Sequence, residues 1–248
     1  MLTEERRNAI LQLVNSRGSI TVTDIKEQLN ISESTARRDI TALDAMGRLE
    51  KVFGGAISIS TTVSTAEPTF AQKVDLFKDE KERIAKYAAS LITPSDIVFI
   101  DGGTTTLALI KYLSEEAGLA GFVTNGVAHG QLLGSMGKRA ILIGGELKST
   151  TDAVVGNLAV TMIRRFHFTK GFFGANGITK QAGFTTPDAS EAFTKQAAME
   201  QCQNCFVLGD SSKFGIVSSV TFGDISSAQI ITESIPDHFK DLSNIHKV

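Results

Sequence analysis

The stretch from Asn30 to Ala56 constrains the fold of this chain more than any other, because a capped helix is followed there by a glycine turn. Ser32 and Ser34 are both suitable N-caps, since a short hydroxyl side chain accepts hydrogen bonds from the free amides of a first helical turn. Gly47 supplies the left-handed residue that commonly ends a helix. The sequence therefore predicts a helix between these signals.

The residues of this helix divide into two faces. Ala36, Ile40 and Leu43 recur at the spacing of one helix face. Arg37, Thr41 and Asp44 share another face, which Arg38 flanks. One face is expected to pack against a core, and the other to contact a partner.

Two helical patterns precede this stretch. Thr3 is placed to cap the first helix and Gly18 to end it, while the second runs over residues 24–29 with Asn30 as its stop. So short a connection before a third helix is typical of a helix-turn-helix. Residues 48–53 and 56–59 then predict two strands joined by glycines, which together form a wing.

A helix-turn-helix inserts its second helix into the DNA major groove, where arginine matches the two acceptors of guanine and hydroxyls suit phosphate oxygens. The candidate DNA-contacting residues are Ser32, Ser34, Thr35, Arg37, Arg38 and Thr41, with Lys51 from the wing. The alternative is a three-helix interaction module whose arginines are simply solvated. Charge does not decide between them, because the whole chain has a net charge of -2.

Residues 2–56 resemble the N-terminal domain of the DeoR family of bacterial sugar-operon repressors. The resemblance rests on three segments: Glu-Arg-Arg-Asn-Ala-Ile-Leu near the start, Ile-Ser-Glu-Ser-Thr-Ala-Arg-Arg-Asp-Ile in the third helix, and Gly-Gly-Ala after the wing. It implies binding to double-stranded operator DNA. Family members commonly carry arginine and histidine where this wing has Lys51 and Phe53, so Phe53 receives no assigned role.

Composition limits the remaining possibilities. With 248 residues and 42% apolar side chains, the chain can bury ordinary cores. The start lacks the apolar segment of a signal peptide, and no apolar run approaches the roughly 20 residues that cross a bilayer, so a cytoplasmic protein without membrane contact is expected. Cys202 and Cys205 have a spacing compatible with redox chemistry or half a zinc site, but an inert pair is favoured and no metal is predicted.

The domain organisation follows from a change in composition. Residues 58–66 are small and polar and offer little to bury, which is typical of a linker. We expect a DNA-binding domain over residues 1–58, a linker and lead-in over 59–79, and an effector-binding and oligomerisation domain over 80–248.

Beyond Pro94 short apolar runs alternate with helical patterns. Strands are predicted at 97–100, 121–124, 140–143, 171–173, 206–208 and 229–232, with helices at 80–91, 107–113, 127–136 and 190–203. Such alternation predicts an α/β domain with a largely parallel, Rossmann-like sheet. Ligands of such sheets bind at the carboxyl ends of the strands.

Small and polar residues follow five of these strands. The candidate effector-binding residues are Asp101, Gly102, Gly103, Thr104, Thr105, Thr106, Thr124, Asn125, Gly145, Glu146, Asn176 and Lys213. Glycines and hydroxyls at the start of a helix suit a phosphate, because free amides and the helix dipole both attract an anion. Each turn alone has an ordinary structural explanation. The Gly-x-Gly-x-x-Gly turn of dinucleotide-binding proteins is absent, so a small phosphorylated metabolite is expected and no cofactor.

Residues 80–233 resemble the effector domain of the same DeoR family, through Asp101-Gly-Gly-Thr-Thr, Gly171-Phe-Phe-Gly-Ala-Asn-Gly, Gly183-Phe-Thr-Thr-Pro-Asp and Asp210-Ser-Ser-Lys-Phe. The resemblance implies sugar-phosphate effectors and a sensor fold similar to ribose 5-phosphate isomerase. That fold supplies a rival hypothesis, an isomerase-like enzyme with a DNA-binding appendage. The isomerase carries Asp-Gly-Ala-Asp where this chain has Phe173-Gly-Ala-Asn176, so the candidate catalytic carboxylates are missing there.

Three charged residues have two possible roles each. Glu191 and Lys195 match family positions and join the candidate effector-binding set, although a pair four residues apart on a helix is also an ordinary surface pair. Lys213 is a candidate phosphate ligand or a solvated lysine. Residues 185–188 either close over the ligand or form a turn.

The sequence thus predicts a transcriptional repressor, not an enzyme, whose DNA binding is relieved by a phosphorylated sugar. Fructose 1-phosphate is the first candidate, because residues 142–152 and 183–188 resemble those of fructose-operon repressors. A homo-oligomer, dimer or tetramer, is expected because one helix reads only a short half-site.

Overall fold

The computed structural model describes residues 2–17, 19–52, 54–57, 62–64 and 69–248. The chain divides into two compact units, Met1–Thr62 and Val63–Val248. The predicted helix stop Gly18, the wing residue Phe53 and most of the predicted linker lie outside the described residues. The domain boundaries predicted from the sequence therefore remain a prediction.

The first unit contains three helices and a small antiparallel sheet. Its elements are α1 (Thr3–Arg17), β1 (Ser19–Thr21), α2 (Val22–Leu29), α3 (Glu33–Ala45), β2 (Glu50–Val52) and β3 (Gly55–Ile57). The strands are ordered β1-β3-β2, so the wing gains a third strand that the sequence did not predict. A β-carbon on Gly55 would lie 2.2 Å from the carbonyl oxygen of Ile20, which explains why glycine is needed where β3 meets β1.

Local capping sets the helix bounds of this unit. Thr21 and Asp24 form a capping box, so α2 starts two residues before its predicted beginning, and Asn30 ends it with a φ of 50°. Of the two candidate caps of α3, Ser32 is the one that accepts the hydrogen bond from the Thr35 amide, at 3.2 Å. Gly47 has a φ of 63°, as the predicted helix stop requires. The predicted winged helix-turn-helix is confirmed.

The elements of the second unit alternate between strands and helices, with β4 (Thr62–Ser64) at the division between the units. In chain order they are α4 (Phe70–Val74), α5 (Lys78–Ser90), β5 (Ile97–Ile100), α6 (Thr104–Ile110), β6 (Gly121–Thr124), α7 (Val127–Ser135), β7 (Ala140–Leu142), β8 (Glu146–Lys148), β9 (Ala153–Val155) and α8 (Asn157–Ile163). They continue with β10 (Phe168–Gly174), β11 (Gly177–Thr179), β12 (Gly183–Thr186), α9 (Ala189–Glu200), β13 (Cys202–Leu208), β14 (Ile216–Ser218), β15 (Val220–Gly223), β16 (Gln229–Thr232) and β17 (Ile245–Lys247).

Seven strands form one parallel sheet in the order β17-β16-β13-β10-β5-β6-β7. Alternate residues of a strand enter two different hydrophobic clusters, with Phe173 in one and Phe172 in the other. Both faces of the sheet are therefore buried, which explains the continuous apolar runs of its strands. The predicted α/β fold with a parallel sheet is confirmed.

Several elements lie outside the predicted set because their sequences lack a strong apolar period. A second sheet, β11-β12-β15, is built from short runs rich in glycine and threonine, and β8 pairs with β9 as a hairpin. Pairing also lengthens two predicted strands, since β10 and β13 remain in register from Phe168 opposite Cys202 to Gly174 opposite Leu208. Neighbouring strands thus draw polar residues into the sheet that no local pattern identifies.

Candidate DNA-binding face and effector cavity

The third helix presents the predicted polar face to solvent. Its buried stripe is formed by Ala36, Asp39, Ile40 and Leu43. The predicted contact residues Ser32, Ser34, Arg37, Arg38, Thr41 and Lys51 are exposed, and Thr35 is half-buried. Six of the seven candidates are therefore exposed to solvent, on α3, at its N-cap or in the adjacent wing.

The two neighbouring arginines differ in how they are held. Arg37 donates to the Glu33 carboxylate from Nε at 2.9 Å and from Nη2 at 2.7 Å, one helical turn away. Within the described part of the chain Arg38 forms no salt bridge, so its guanidinium remains available to a partner. Lys51 donates from Nζ to the Thr41 hydroxyl at 3.1 Å, which joins the wing to the recognition helix.

Asp39 is a structural residue that the sequence did not single out. It is only 1% exposed and accepts from Arg6 at 2.5 Å and from Arg7 at 3.3 Å. These ion pairs fasten α1 to α3 and raise the pKa of the Arg6 guanidinium above its ordinary value, mainly through the hydrogen bond to Asp39. The arginines of the Glu-Arg-Arg segment thus position the recognition helix.

A cavity of about 260 Å³ lies in the second unit, where the carboxyl ends of β5, β10 and β13 meet. The predicted effector-binding residues that line it are Gly102, Gly103, Thr104, Thr105, Asn176, Glu191, Lys195 and Lys213. They come from four separate parts of the chain, and the parallel sheet brings them together.

The other six predicted residues do not line the cavity. Four of them support its wall from behind: Asp101, Thr106, Thr124 and Asn125 are all buried. Gly145 and Glu146 belong to the start of the β8-β9 hairpin, and Glu146 is exposed. Thr124 accepts from the Gly126 amide at 3.0 Å, and Asn125 accepts from the Gly102 amide at 2.7 Å.

Asp101 and Lys195 form a buried ion pair beneath the cavity. Asp101 also accepts from the Gly174 amide at 3.0 Å, and Lys195 donates to the Gly174 carbonyl oxygen at 3.2 Å. Burial raises the pKa of Asp101 above its ordinary value, although the Lys195 charge opposes this. The pair therefore fixes the turn after β10 against the turn after β5.

Glu191 is buried and held by hydroxyl groups from two segments. It accepts from Thr151 at 2.5 Å and from Thr186 at 3.1 Å, and Lys148 lies 3.5 Å away. Burial acts to raise the pKa of Glu191, but Lys195, Thr151 and the other nearby donors outweigh it, so the pKa lies below its ordinary value. Glu191 is thus an ionised carboxylate at the cavity wall.

The segment 185–188 is part of the wall's framework. Thr185 and Thr186 are buried in β12, and the Asp188 carboxylate accepts from the Glu191 amide at 2.9 Å as the N-cap of α9. The segment therefore connects a strand to a helix and supports Glu191.

His129 is a second supporting residue that the sequence reasoning missed. Its Nε2 lies 3.0 Å from the Gly103 carbonyl oxygen and 3.1 Å from the Thr106 hydroxyl, and Nδ1 has no hydrogen-bond partner among the described residues. Burial lowers its pKa to about 4, despite the opposing hydrogen bond to Gly103. The ring is therefore neutral at pH 7 and holds the turn after β5.

The predicted lead-in contributes a wall of the cavity. Phe70, Lys73, Leu76 and Phe77 line it, although residues 59–79 were predicted only to connect the two domains. Lys81, at the start of α5, is 6% exposed and also lines the cavity. Lys81 lies one turn into a helix, and this position does not distinguish it in the sequence from a solvated lysine.

Three further features bear on metal binding, thiol chemistry and membrane insertion. No group of three or more histidine, cysteine, aspartate or glutamate residues able to hold a metal ion occurs in the described ranges. Cys202 and Cys205 are free thiols at the junction of α9 and β13, and each donates to a backbone carbonyl of that helix. No helix in the described part of the chain is long and apolar enough to span a membrane.

Two family models match the chain. The DeoR-like helix-turn-helix domain matches residues 6–62, and the DeoR C terminal sensor domain matches residues 77–234. The Bacillus subtilis protein named "Uncharacterized HTH-type transcriptional regulator FruR" is 38% identical over 232 residues, covering 94% of this chain and 91% of the relative. The lactose phosphotransferase system repressor of Streptococcus mutans is 32% identical over 245 residues, covering 97% of this chain and 95% of the relative.

Solved structures similar to this chain include ribose 5-phosphate isomerase A from Neisseria gonorrhoeae. The two are 16% identical, with a TM-score of 0.42 and coverage of 58% of this chain and 56% of that chain. A probable sor operon regulator from Shigella flexneri is 10% identical, with a TM-score of 0.39 and coverage of 56% and 79%.

Proposed function

This chain belongs to the DeoR family of transcriptional regulators, and from that membership we propose that a phosphorylated sugar, with fructose 1-phosphate as the first candidate, releases it from operator DNA. Its relatives are named transcriptional regulators and repressors, and the chain itself is a DNA-binding repressor of this type and not an enzyme. A cytoplasmic location accords with that role.

The observation that carries the proposal is the composition of the cavity. It offers hydroxyl, amide, carboxylate and ammonium groups within about 260 Å³, which is a size suited to a small polar metabolite. Sugar hydroxyls need both donors and acceptors, and the Asn176 amide and the Glu191 carboxylate, which line the same cavity, supply these. Lysines at the same cavity supply the positive charge that a phosphate requires.

The preference for fructose 1-phosphate rests on two segments of the sequence. Residues 142–152 and 183–188 resemble those of fructose-operon repressors, and they contribute Thr151 and Thr186, which both donate to Glu191. The segments that set this resemblance therefore meet at one carboxylate on the cavity wall. Sugar phosphates differ in the groups that they would place at that carboxylate, so Glu191 would distinguish one from another.

The DNA side of the proposal is that α3 enters a major groove, with Arg37 and Arg38 facing base edges. One such helix covers only a short half-site, so a homo-oligomer, either dimer or tetramer, would bring two helices to a symmetric operator. The effector must then favour one arrangement of domains or subunits over another to change affinity for DNA.

A gel-shift assay tests the proposal directly. The full-length protein is mixed with DNA from upstream of its own operon and titrated with a panel of sugar phosphates, each paired with its unphosphorylated sugar as the matched control. We expect fructose 1-phosphate to dissociate the complex and fructose to leave it intact. If no phosphorylated sugar alters the complex, the proposed sensing function is wrong.

A further inference from the structure

The solvent side of α8 and α9 carries an apolar surface away from the cavity. The two helices are in contact, and a groove between them has Val160, Phe193 and Ala197 among its lining residues. We call this groove, together with Leu158 on the exposed surface of α8, the α8–α9 face. Leu158 is 74% exposed and Phe193 is 59% exposed, although large apolar side chains are usually buried. Two such side chains beside a groove are typical of an interaction surface.

The exposed stripe of α9 is nearly uncharged. The helix lies wholly within the described residues, and five of its side chains are exposed, namely Ala189, Ser190, Phe193, Gln196 and Glu200. Its other two charged residues, Glu191 and Lys195, are buried at the cavity. A helix that faces only water carries charged and polar residues along its outer face. The composition of this stripe is therefore better suited to contact with protein than with solvent.

The charges at the groove are equal and opposite. Arg164 and Glu200 are its charged lining residues, and their side chains lie 3.9 Å apart and are both exposed. A face with no surplus of either sign does not repel a copy of itself, whereas a strongly acidic or basic partner would find no compensating charge there. The charge pattern therefore favours a second copy of this chain as the partner.

The shape of the α8–α9 face is also self-complementary. A two-fold interface uses the same surface on both subunits, so that surface must carry both a projecting group and a recess. More than half of the Phe193 side chain projects into solvent, and the groove beside it, with Val160 and Ala197, is a recess. Apolar groups would then occupy the centre of the interface and the charged pair its rim, as is usual in protein interfaces.

We propose that two copies of this chain associate through the α8–α9 face, with Phe193 of each copy in the groove of the other. This inference rests on the homo-oligomer of the proposed function and names the surface that forms it. The same helix also lines the cavity, because Glu191 and Lys195 lie on the buried side of α9. A ligand in the cavity and a second copy on the outer face would thus contact one helix from its two sides.

Sedimentation velocity of the full-length protein over a range of concentrations tests this interface. The variants are Phe193→Asp and Leu158→Asp, each of which would place a carboxylate in an apolar contact. The matched control is Leu119→Asp, since Leu119 is 63% exposed in the connection between α6 and β6. We expect Phe193→Asp to raise the dissociation constant of the dimer by roughly 30-fold or more, the range for an aromatic residue at the centre of an interface. Leu158→Asp should also raise it, and Leu119→Asp should leave it unchanged.

A second measurement reports burial at position 193 itself. The chain has no tryptophan, so Phe193→Trp introduces a single indole as a fluorescent probe. We expect its emission to be blue-shifted at concentrations where the protein is associated, and to move to the red on dilution in step with the sedimentation data. Leu119→Trp is the control and should emit as a solvated tryptophan at every concentration. Circular dichroism and thermal unfolding establish that each variant is folded.

The outcomes separate this inference from the proposed function. If the protein associates, but the aspartate variants associate equally well and the emission of Phe193→Trp stays red, the interface lies elsewhere and the homo-oligomer stands. Blue-shifted emission from a monomer would show that another part of the same chain covers the face, which would overturn the inference. A protein that is monomeric at every concentration overturns both the interface and the homo-oligomer, while the gel shift still decides the response to sugar phosphates. Should Phe193→Asp be unfolded, Leu158→Asp and Phe193→Trp decide by the same criteria.

Discussion

At the scale of single residues, neighbours in the sequence have different tasks because their surroundings differ. Arg37 is paired with Glu33, Arg38 faces solvent without a salt bridge to any described residue, and Asp39 is buried against Arg6 and Arg7. Of three consecutive charged side chains, one is exposed and paired, one is exposed without such a pair, and one is buried in ion pairs that join α1 to α3. The helical period alone separates the buried position from the two exposed ones.

We predict that Arg38→Ala weakens specific operator binding by about 1–3 kcal/mol, the range for one bidentate arginine contact to a base. Arg37→Ala should also lose specific binding, and both variants should retain the fold because both side chains are exposed. Quantitative gel shifts with operator and scrambled DNA measure the effect, with Lys86→Ala in the other unit as a charge-matched control. Unaltered affinity in both arginine variants would show that α3 is not the recognition helix.

We predict that His129 makes stability depend on pH between about 6.5 and 4. Its folded pKa of about 4 lies below the unfolded value of about 6.5, so the unfolded state binds a proton that the folded state excludes, and stability falls as the pH is lowered through this range. The loss should be at most about 3 kcal/mol. Urea unfolding at several pH values should show a flatter dependence for His129→Gln, and an equal dependence would contradict the prediction.

At the scale of elements, short interactions at helix ends decide where the elements of the DNA-binding unit begin. The capping box of Thr21 and Asp24 starts α2, and the Ser32 hydroxyl starts α3 after a connection of three residues. In the second unit, α4 is a five-residue helix with a capping box of its own, and it becomes a wall of the cavity. A short helix with a weak sequence pattern can therefore line a cavity.

We predict that Thr21→Ala destabilises the protein by about 0.5–2 kcal/mol, because it removes the hydroxyl that accepts from the Asp24 amide at 3.1 Å. Thr23→Ala is the matched control, since Thr23 is exposed within the same helix and alanine has the higher helix propensity. Urea unfolding followed by circular dichroism measures both. Equal effects of the two substitutions would show that the cap contributes nothing.

At the scale of the whole molecule, each unit has its own hydrophobic core. The core of the first unit draws on residues between 10 and 56, and the two clusters of the second unit draw on residues between 84 and 248. Sensing and DNA binding are thus built on separately packed parts of one chain.

We predict that residues 63–248 fold when expressed alone, because both of their hydrophobic clusters are internal to this unit. The fragment should unfold cooperatively and bind inorganic phosphate with the affinity of the full chain, as calorimetry would measure. The full-length protein is the reference for both quantities. A fragment that is unfolded at 25 °C would show that the second unit depends on the first.

The sequence by itself determined those features whose causes are local. The caps and apolar periods of α2 and α3 predicted a winged helix-turn-helix, and the apolar runs such as Ile97–Ile100 predicted the central parallel strands. Turns after successive strands predicted most of one cavity wall, because parallel strands end at the same edge of a sheet. Periodicity and capping act between residues that are close in the sequence, so they can be recognised from the sequence alone.

The tertiary structure alone decided which distant residues meet. It placed Arg6 and Arg7 on Asp39, used the Gly102 amide for Asn125, and brought Lys81 and the segment 69–77 to the cavity. It also moved Gly145 and Glu146 away from that wall and into a hairpin. These contacts depend on how the layers of helices and sheet pack. The residues are tens of positions apart, so local sequence patterns do not indicate that they meet.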